Sequence, residues 1–152
     1  MQRLPTLDLP GVPSRVVLMV LAAALALTVD WTTKHVVVWL EPGTLLFHVS
    51  ERASSGLGNG LILVAAGGSL LACVLPLRAV AAGAGLALGG ALGNLTSRHW
   101  WGSLGGSPDF IPFADGSVGN VADLFIAFGV ATMLAASTAW LLWHAFAGRA
   151  HA

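Results

Sequence analysis

Charge is what this chain has least of. Only 9% of its 152 residues are Asp, Glu, Lys or Arg, against roughly 25% in a soluble globular domain. That leaves too little polar surface to cover a soluble enzyme. The charge present is balanced, seven basic residues against seven acidic ones, so no global field draws in nucleic acid or an acidic partner. Cysteine is nearly absent too. The single Cys73 lies in an apolar run, which excludes a disulfide framework and a thiolate metal cage. The five histidines (His35, His48, His99, His144, His151) show no metal-ligand spacing, and no phosphate loop is visible. No cofactor is expected. What is abundant is apolar side chain, 56% of the residues with a mean hydropathy of +0.80. This rules out disorder as the general state and makes a small integral membrane protein the default class.

The apolar runs set the organisation. Residues 1–13, with Pro5, Pro10 and Pro13, read as a short disordered head. A first run extends from Val16 to Val29 and resumes through Val36–Leu40. It reaches the roughly 20 residues a bilayer core needs only if Asp30 and Lys34 lie within it or at its outer edge. A secretory signal peptide is the competing reading, since Arg15 precedes the run. However, the run continues into Asp30-Trp31-Thr32-Thr33-Lys34 with no small-residue cleavage site beside a polar stretch. Leu57–Pro76 gives a second span, Ala79–Leu95 a third rich in Ala and Gly, and Val121–Ala147 a fourth. Polar loops fill 41–56 and 98–118, so the expectation is an all-α membrane protein of four transmembrane helices. A membrane domain over 14–148 is then followed by a tail at 149–152. Arg3, Arg15, Arg78 and Arg149 fall on the side of the termini, and Lys34, Arg52 and Arg98 on the other. That bias places both termini in the cytoplasm. The six tryptophans lie near predicted span ends, where amphipathic rings favour the interface.

Ionisable groups at membrane depth are functional candidates, and Asp30, Lys34 and Asp123 qualify. Asp30 and Lys34 are four apart and share a helix face. They form either a functional pair or a self-neutralising pair reaching for the interface. Gly85, Gly89 and Gly93 make a smooth ridge for close helix packing. Gly93-Asn94-Leu95-Thr96-Ser97 ends the third span, and Gly119-Asn120-Val121-Ala122-Asp123 begins the fourth. Both read Gly-Asn-x-x-[Ser/Asp], with the two polar residues three apart on one face. Asn94, Ser97, Asn120 and Asp123 are therefore expected to converge between the third and fourth spans, with Asp30 nearby.

Asp30-Trp31-Thr32-Thr33-Lys34 resembles the Asp-x-x-Thr-Lys element of the lipoprotein signal peptidases, signal peptidase II. Residues Gly89 to Arg98 resemble that family's Gly-Gly-Ala-x-Gly-Asn-x-x-Asp-Arg element. Asp109-Phe110-Ile111 is similar to its Asp-Phe-Ile, and Asn120-Val121-Ala122-Asp123 to its Asn-x-Ala-Asp. Order, spacing and chain length agree over roughly residues 15–147. The resemblance implies an intramembrane aspartic peptidase of the bacterial-type inner membrane. Its partners would be membrane lipid and a prolipoprotein whose cysteine carries a diacylglyceryl group, with cleavage just before that cysteine. Two aspartates would share one proton, one activating water and the other polarising the carbonyl. Asp123 matches one of these positions. The other is Ser97, which cannot join a shared-proton dyad. Asp30, Lys34, Asn94, Arg98, Asp109 and Asn120 match supporting or substrate-binding positions. The segment Arg52-Ala53-Ser54-Ser55-Gly56-Leu57 departs from the family's Arg-Asn-x-Gly-Ala-x-Phe-like stretch.

The resemblance therefore implies the fold and the membrane placement more strongly than the activity. General acid–base groups contribute typically 10²–10⁴-fold each, so loss of one aspartate is expected to impair or abolish aspartic catalysis. Asp109 or Asp115 swinging in, or a Ser97–Lys34 nucleophile pair, are weaker expectations. A second function class is a non-catalytic relative that binds lipidated signal segments or another membrane partner. A third is an unrelated membrane protein with Asp30, Lys34 and Asp123 along a polar pathway.

Overall fold

The computed structural model describes residues 11–40, 67–70, 72–101 and 106–147. Helix α1 runs Val12–Leu40, α2 Arg78–Trp100 and α3 Val121–Ala147. Between α2 and α3 lies a small antiparallel hairpin, β1 (Ile111–Pro112) and β2 (Val118–Gly119), pairing Ile111 with Gly119 and Pro112 with Val118. The described residues are mostly helical, and three helices are long and apolar enough to cross a membrane. Helix α1, with 29 residues, is about 43 Å long at the standard rise of about 1.5 Å per residue, more than a bilayer core of about 30 Å. Apolar side chains such as Leu21, Leu25, Phe128, Leu134 and Leu141 are exposed along α1 and α3. A helix with apolar residues on its open faces suits lipid better than water.

Helix α2 is the central one. It packs along both α1 and α3, which touch each other far less. Its glycines explain this. Gly85 and Gly89 face α1 so closely that a methyl group on either would run into the backbone of Met19 or Ala23. Gly83 and Gly90 do the same toward α3, against the carbonyls of Gly129 and Ala122. Helix association in lipid relies on such close backbone approach. The sequence-predicted ridge of Gly85, Gly89 and Gly93 is thus the α1 seam, and a second seam on the opposite face holds α3.

Three boundaries differ from the sequence reading. Helix α1 begins at Val12, inside the expected 1–13 head. Pro13 sits in the first turn, where its missing N–H costs nothing. Helix α2 continues through Trp100 rather than stopping near Leu95, so the expected 98–118 loop starts later. The polar residues there do not break the helix because Thr96 and Ser97 donate their hydroxyls to the carbonyls of Leu92 and Gly93, and Arg98 and His99 stand at the favourable C-terminal end. The same loop contains the hairpin, whose two-residue strands are too short to show an alternating pattern. Of the predicted second span, only 67–70, which is helical, and 72–76 are described, and because 73–76 are turn and bend the helix stops short of Pro76. The rest of that span lies outside the described residues, as do the 41–56 loop with Arg52, residues 1–10 of the head and the 149–152 tail.

At the end of the bundle opposite the site, Arg15 is buried and its Nε donates to the carbonyl of Cys73 at 2.7 Å. This ties the start of α1 to the turn that leads into α2.

Candidate functional site

The site is built where α1, α2 and the first turn of α3 meet. Asp30 and Lys34 lie one turn apart on α1, and both are completely buried. Lys34 Nζ donates to Asp30 Oδ2 at 2.8 Å, to Asn94 Oδ1 at 3.1 Å and to Ser97 Oγ at 3.0 Å. The pair is therefore internal to the bundle, and the reading in which it reaches for the interface does not apply. The other Asp30 oxygen, Oδ1, accepts the backbone N–H of Ala122 at 2.9 Å. One carboxylate thus fastens α1 to the N-terminus of α3, where unpaired N–H groups favour an anion.

Helix α3 opens with a reciprocal cap. The Asn120 side-chain oxygen accepts the N–H of Ala122 at 3.0 Å, and Asp123 Oδ2 accepts the N–H of Asn120 at 3.0 Å. This is the arrangement of a capping box, with Asn and Asp in place of the commoner Ser/Thr and Glu. The Asn120 amide nitrogen reaches Asp109 Oδ1 at 2.5 Å and Ser107 Oγ at 3.4 Å, strapping residues 107–109 over the start of the helix. Asp123 Oδ1 accepts from Asn94 Nδ2 at 2.8 Å. Asp123 is half-buried, whereas Ser97 and Asn120 are buried.

The expected convergence of Asn94, Ser97, Asn120 and Asp123 near Asp30 is present, through bridges. Ser97 and Asp123 do not bond to each other; Lys34 and Asn94 stand between them. Asp109 joins through Asn120. Arg98 stays outside the network: among the described residues, its buried Nε has no hydrogen-bond partner. Asp115 is apart, on the exposed hairpin turn, where Ser117 donates both its hydroxyl and its backbone N–H to it at 2.7 and 3.0 Å. Those two donors hold the Asp115 carboxyl below the ordinary aspartate range. Among the described residues, no group of three His, Cys, Asp or Glu side chains is placed to hold a metal ion.

Several participants were not singled out from the sequence. Ser107 and the Ala122 backbone N–H carry no sequence signal. The capping role did have one, because Asn-x-x-Asp directly before an apolar run is a helix-start pattern. Outside the network, Trp31, His35, Trp100 and Trp101 pack ring to ring with centroids 4.8 to 5.8 Å apart. This closes the α1–α2 seam just beyond the site.

These hydrogen bonds limit the chemistry. Lys34 contacts Ser97, as a serine–lysine nucleophile pair would require, but with the wrong polarity. The ammonium donates to the hydroxyl, and the hydroxyl spends its own proton on the Gly93 carbonyl at 2.6 Å. An ammonium that donates all three of its hydrogens has no lone pair with which to deprotonate serine. Asp30 has both oxygens committed within the buried cluster. Asp123 likewise accepts one bond on each oxygen, but it and Asp109 are only half-buried, whereas Asp30 is completely buried.

Fold and site together define a helical membrane protein with a polar, hydrogen-bonded cluster buried where its helices meet. The family model described as signal peptidase (SPase) II matches residues 21–139, a stretch that holds every residue of this cluster. The chain belongs to the signal peptidase II family. No curated relative and no solved structure matches it.

Proposed function

We propose that this protein is a signal-peptidase-II-like membrane protein that engages the lipid-modified signal segment of a prolipoprotein and lacks efficient aspartic cleavage. It crosses a bacterial-type inner membrane four times, with both termini in the cytoplasm, and Leu57–Pro76 supplies the span that lies mostly outside the described residues. The observation that carries the reading is the state of Ser97. At the position where the family resemblance calls for the second aspartate, a completely buried hydroxyl accepts from Lys34 and donates to Gly93. Asp123 then has no carboxylate at position 97 with which to share a proton, and an aspartic mechanism needs one group as base and another as acid.

The deciding experiment is cleavage of a diacylglyceryl-modified prolipoprotein by the purified protein, with Ser97→Asp beside it. The expected result is no detectable product from wild type and at least ~100-fold more from Ser97→Asp, the lower end of what one acid–base group contributes. Wild-type turnover comparable to the variant would sink the proposal. Photocrosslinking of the same substrate separates the non-catalytic binder from a protein that has lost the substrate altogether: retained crosslinks with no product identify a binder. Orientation has its own check. With Cys73 replaced by serine and Ala114→Cys placed on the exposed hairpin turn, an impermeant thiol reagent is expected to label intact cells. Protection there would invert the topology.

A further inference from the structure

Lys34 and Asp123 belong to different helices and are linked through one side chain. Asn94 Oδ1 lies 3.1 Å from the Lys34 ammonium, and its Nδ2 lies 2.8 Å from Asp123 Oδ1. The direction of this amide is dictated by its neighbours. An ammonium has only hydrogens to offer and an ionised carboxylate only lone pairs. A reversed amide would set donor against donor on one side and acceptor against acceptor on the other. The ammonium is itself held in place by Asp30 and Ser97 and is completely buried, so it cannot turn away. The Asp123 carboxylate is then gripped at both ends, by Asn94 on Oδ1 and by the backbone N–H of Asn120 on Oδ2.

We infer that Asn94 is a positioning residue through which the buried Lys34 ammonium fixes the orientation of the Asp123 carboxylate. This deepens the functional reading above and rests on it for its use, because a carboxylate serves as a base only in a defined direction. The hydrogen-bond relay itself is tested without any cleavage, so a protein that never cuts a substrate still decides it.

The test uses polarity. Asn94→Asp places two acceptors face to face across the Asn94–Asp123 contact. Asp123→Asn cannot satisfy both Asn94 Nδ2 and the Asn120 N–H, since one of its two ends is a donor. The double variant restores every bond with the central one reversed. The carboxylate introduced at 94 accepts from Lys34 and from the new amide at 123, whose oxygen still accepts from Asn120. The readout is hydrogen exchange of the Asn120 backbone amide in the full-length, detergent-solubilised protein, with the α3 amides from Gly129 to Met133 as the fold control.

Asn94→Ala is expected to speed Asn120 exchange about tenfold, the effect of losing one hydrogen bond to a charged group. Each single polarity variant should do at least as much, and the double variant should return to within about threefold of wild type, a strongly non-additive result. Unfolding of both single variants with recovery in the double counts as the same rescue. An unchanged rate in Asn94→Ala, a double variant no better than the worse single, or loss of fold in all three polarity variants overturns the inference.

Discussion

Residues 93–97 and 119–123 share one spelling, and the chain folds them differently. Gly93-Asn94-x-x-Ser97 lies inside α2, with Asn94 bonding across to α1 and α3 and Ser97 folding back onto Gly93. Gly119-Asn120-x-x-Asp123 straddles the start of α3, where Asn120 and Asp123 cap each other. What the two have in common lies under the glycine. A methyl group on Gly93 would fall 2.5 Å from Asp30 Oδ2, and one on Gly119 would fall 2.7 Å from Asp123 Oδ2. In both segments the glycine is a seat for a carboxylate and the next residue is an amide beside it. The carboxylate comes from another helix in the first case and from within the segment in the second. A repeated pattern thus encodes a repeated surface rather than a repeated conformation.

The largest expected effect is at the first seat. Asp30→Ala would leave the Lys34 ammonium buried with, among the described residues, Asn94 and Ser97 alone to accept from it. Breaking a buried pair by removing one partner costs about 3–5 kcal/mol. Asp123→Ala, at the half-buried second seat, removes two hydrogen bonds and should cost about 2 kcal/mol, at about 1 kcal/mol for each. Thermal unfolding in detergent, followed by circular dichroism, compares them. Equal losses would mean that the two seats carry similar weight and that burial does not separate them.

Next come the glycines themselves. Gly93→Ala pushes on Asp30, which Lys34 and the Ala122 N–H hold from both sides. Overpacking of a tight site costs about 1–3 kcal/mol, and the upper half of that range is expected here even after the gain of about 0.5–1 kcal/mol for replacing a mid-helix glycine. Gly119→Ala meets the outer edge of the Phe113 ring and the Asp123 carboxylate, and both can shift toward a more open surface. Its cost should be about 1 kcal/mol, within the lower end of the overpacking range. The same unfolding measurement ranks them, and a reversal of the order would break the proposed distinction between a locked and a yielding seat.

A smaller effect separates the two asparagines. Asn120→Ala removes a helix cap, worth typically about 1 kcal/mol, and releases the Asp109 and Ser107 contacts. The loss should appear as local fraying, with faster amide exchange at residues 121–124 and little change in α2. If α2 loosens equally, Asn120 is not acting as a local cap.

Much of this was readable from residue order. Asp30 and Lys34 stand one helical turn apart, so their pairing follows from helix geometry alone, and Val121–Ala147 is bounded as the apolar run suggests. The glycine ridge was visible because its spacing of four keeps one face smooth. The second seam was not, since Gly83 and Gly90 are seven apart and the residues they face, Gly129 and Ala122, lie on another helix. The extension of α2 through Trp100 was hidden because side-chain bonds to preceding carbonyls satisfy polar residues that look like a loop. The contact between Lys34 and Ser97, 63 residues apart, follows only from how α1 and α2 dock. Long-range polar partners are set by packing, which no local pattern records.

The smallest expected effect sharpens the comparison by contrast. Asp115 is a carboxylate with no glycine seat and no partner helix in its hydrogen bonds. Its partner is Ser117, two residues away on an exposed turn, where Gly116 takes a positive φ of 84°. The Ser117 hydroxyl and then its N–H hold the Asp115 carboxyl below the ordinary range. The sign follows from linkage: a group whose folded-state value is depressed stabilises the fold above its unfolded value, and that contribution is lost as pH falls through the folded one. Because Asp115 is fully exposed, the turn alone should respond, with global stability barely changed. Carbon-13 titration of the aspartate carboxyls is expected to place the Asp115 midpoint below that of a free aspartate. Ser117→Ala, which removes the hydroxyl and keeps the N–H, should raise it part of the way back. A midpoint that does not move in Ser117→Ala would show that the turn geometry holds this carboxylate without the hydroxyl. The contrast with Asp30 and Asp123, whose positions depend on named donors, would then extend to how each carboxylate is held as well as to where it sits.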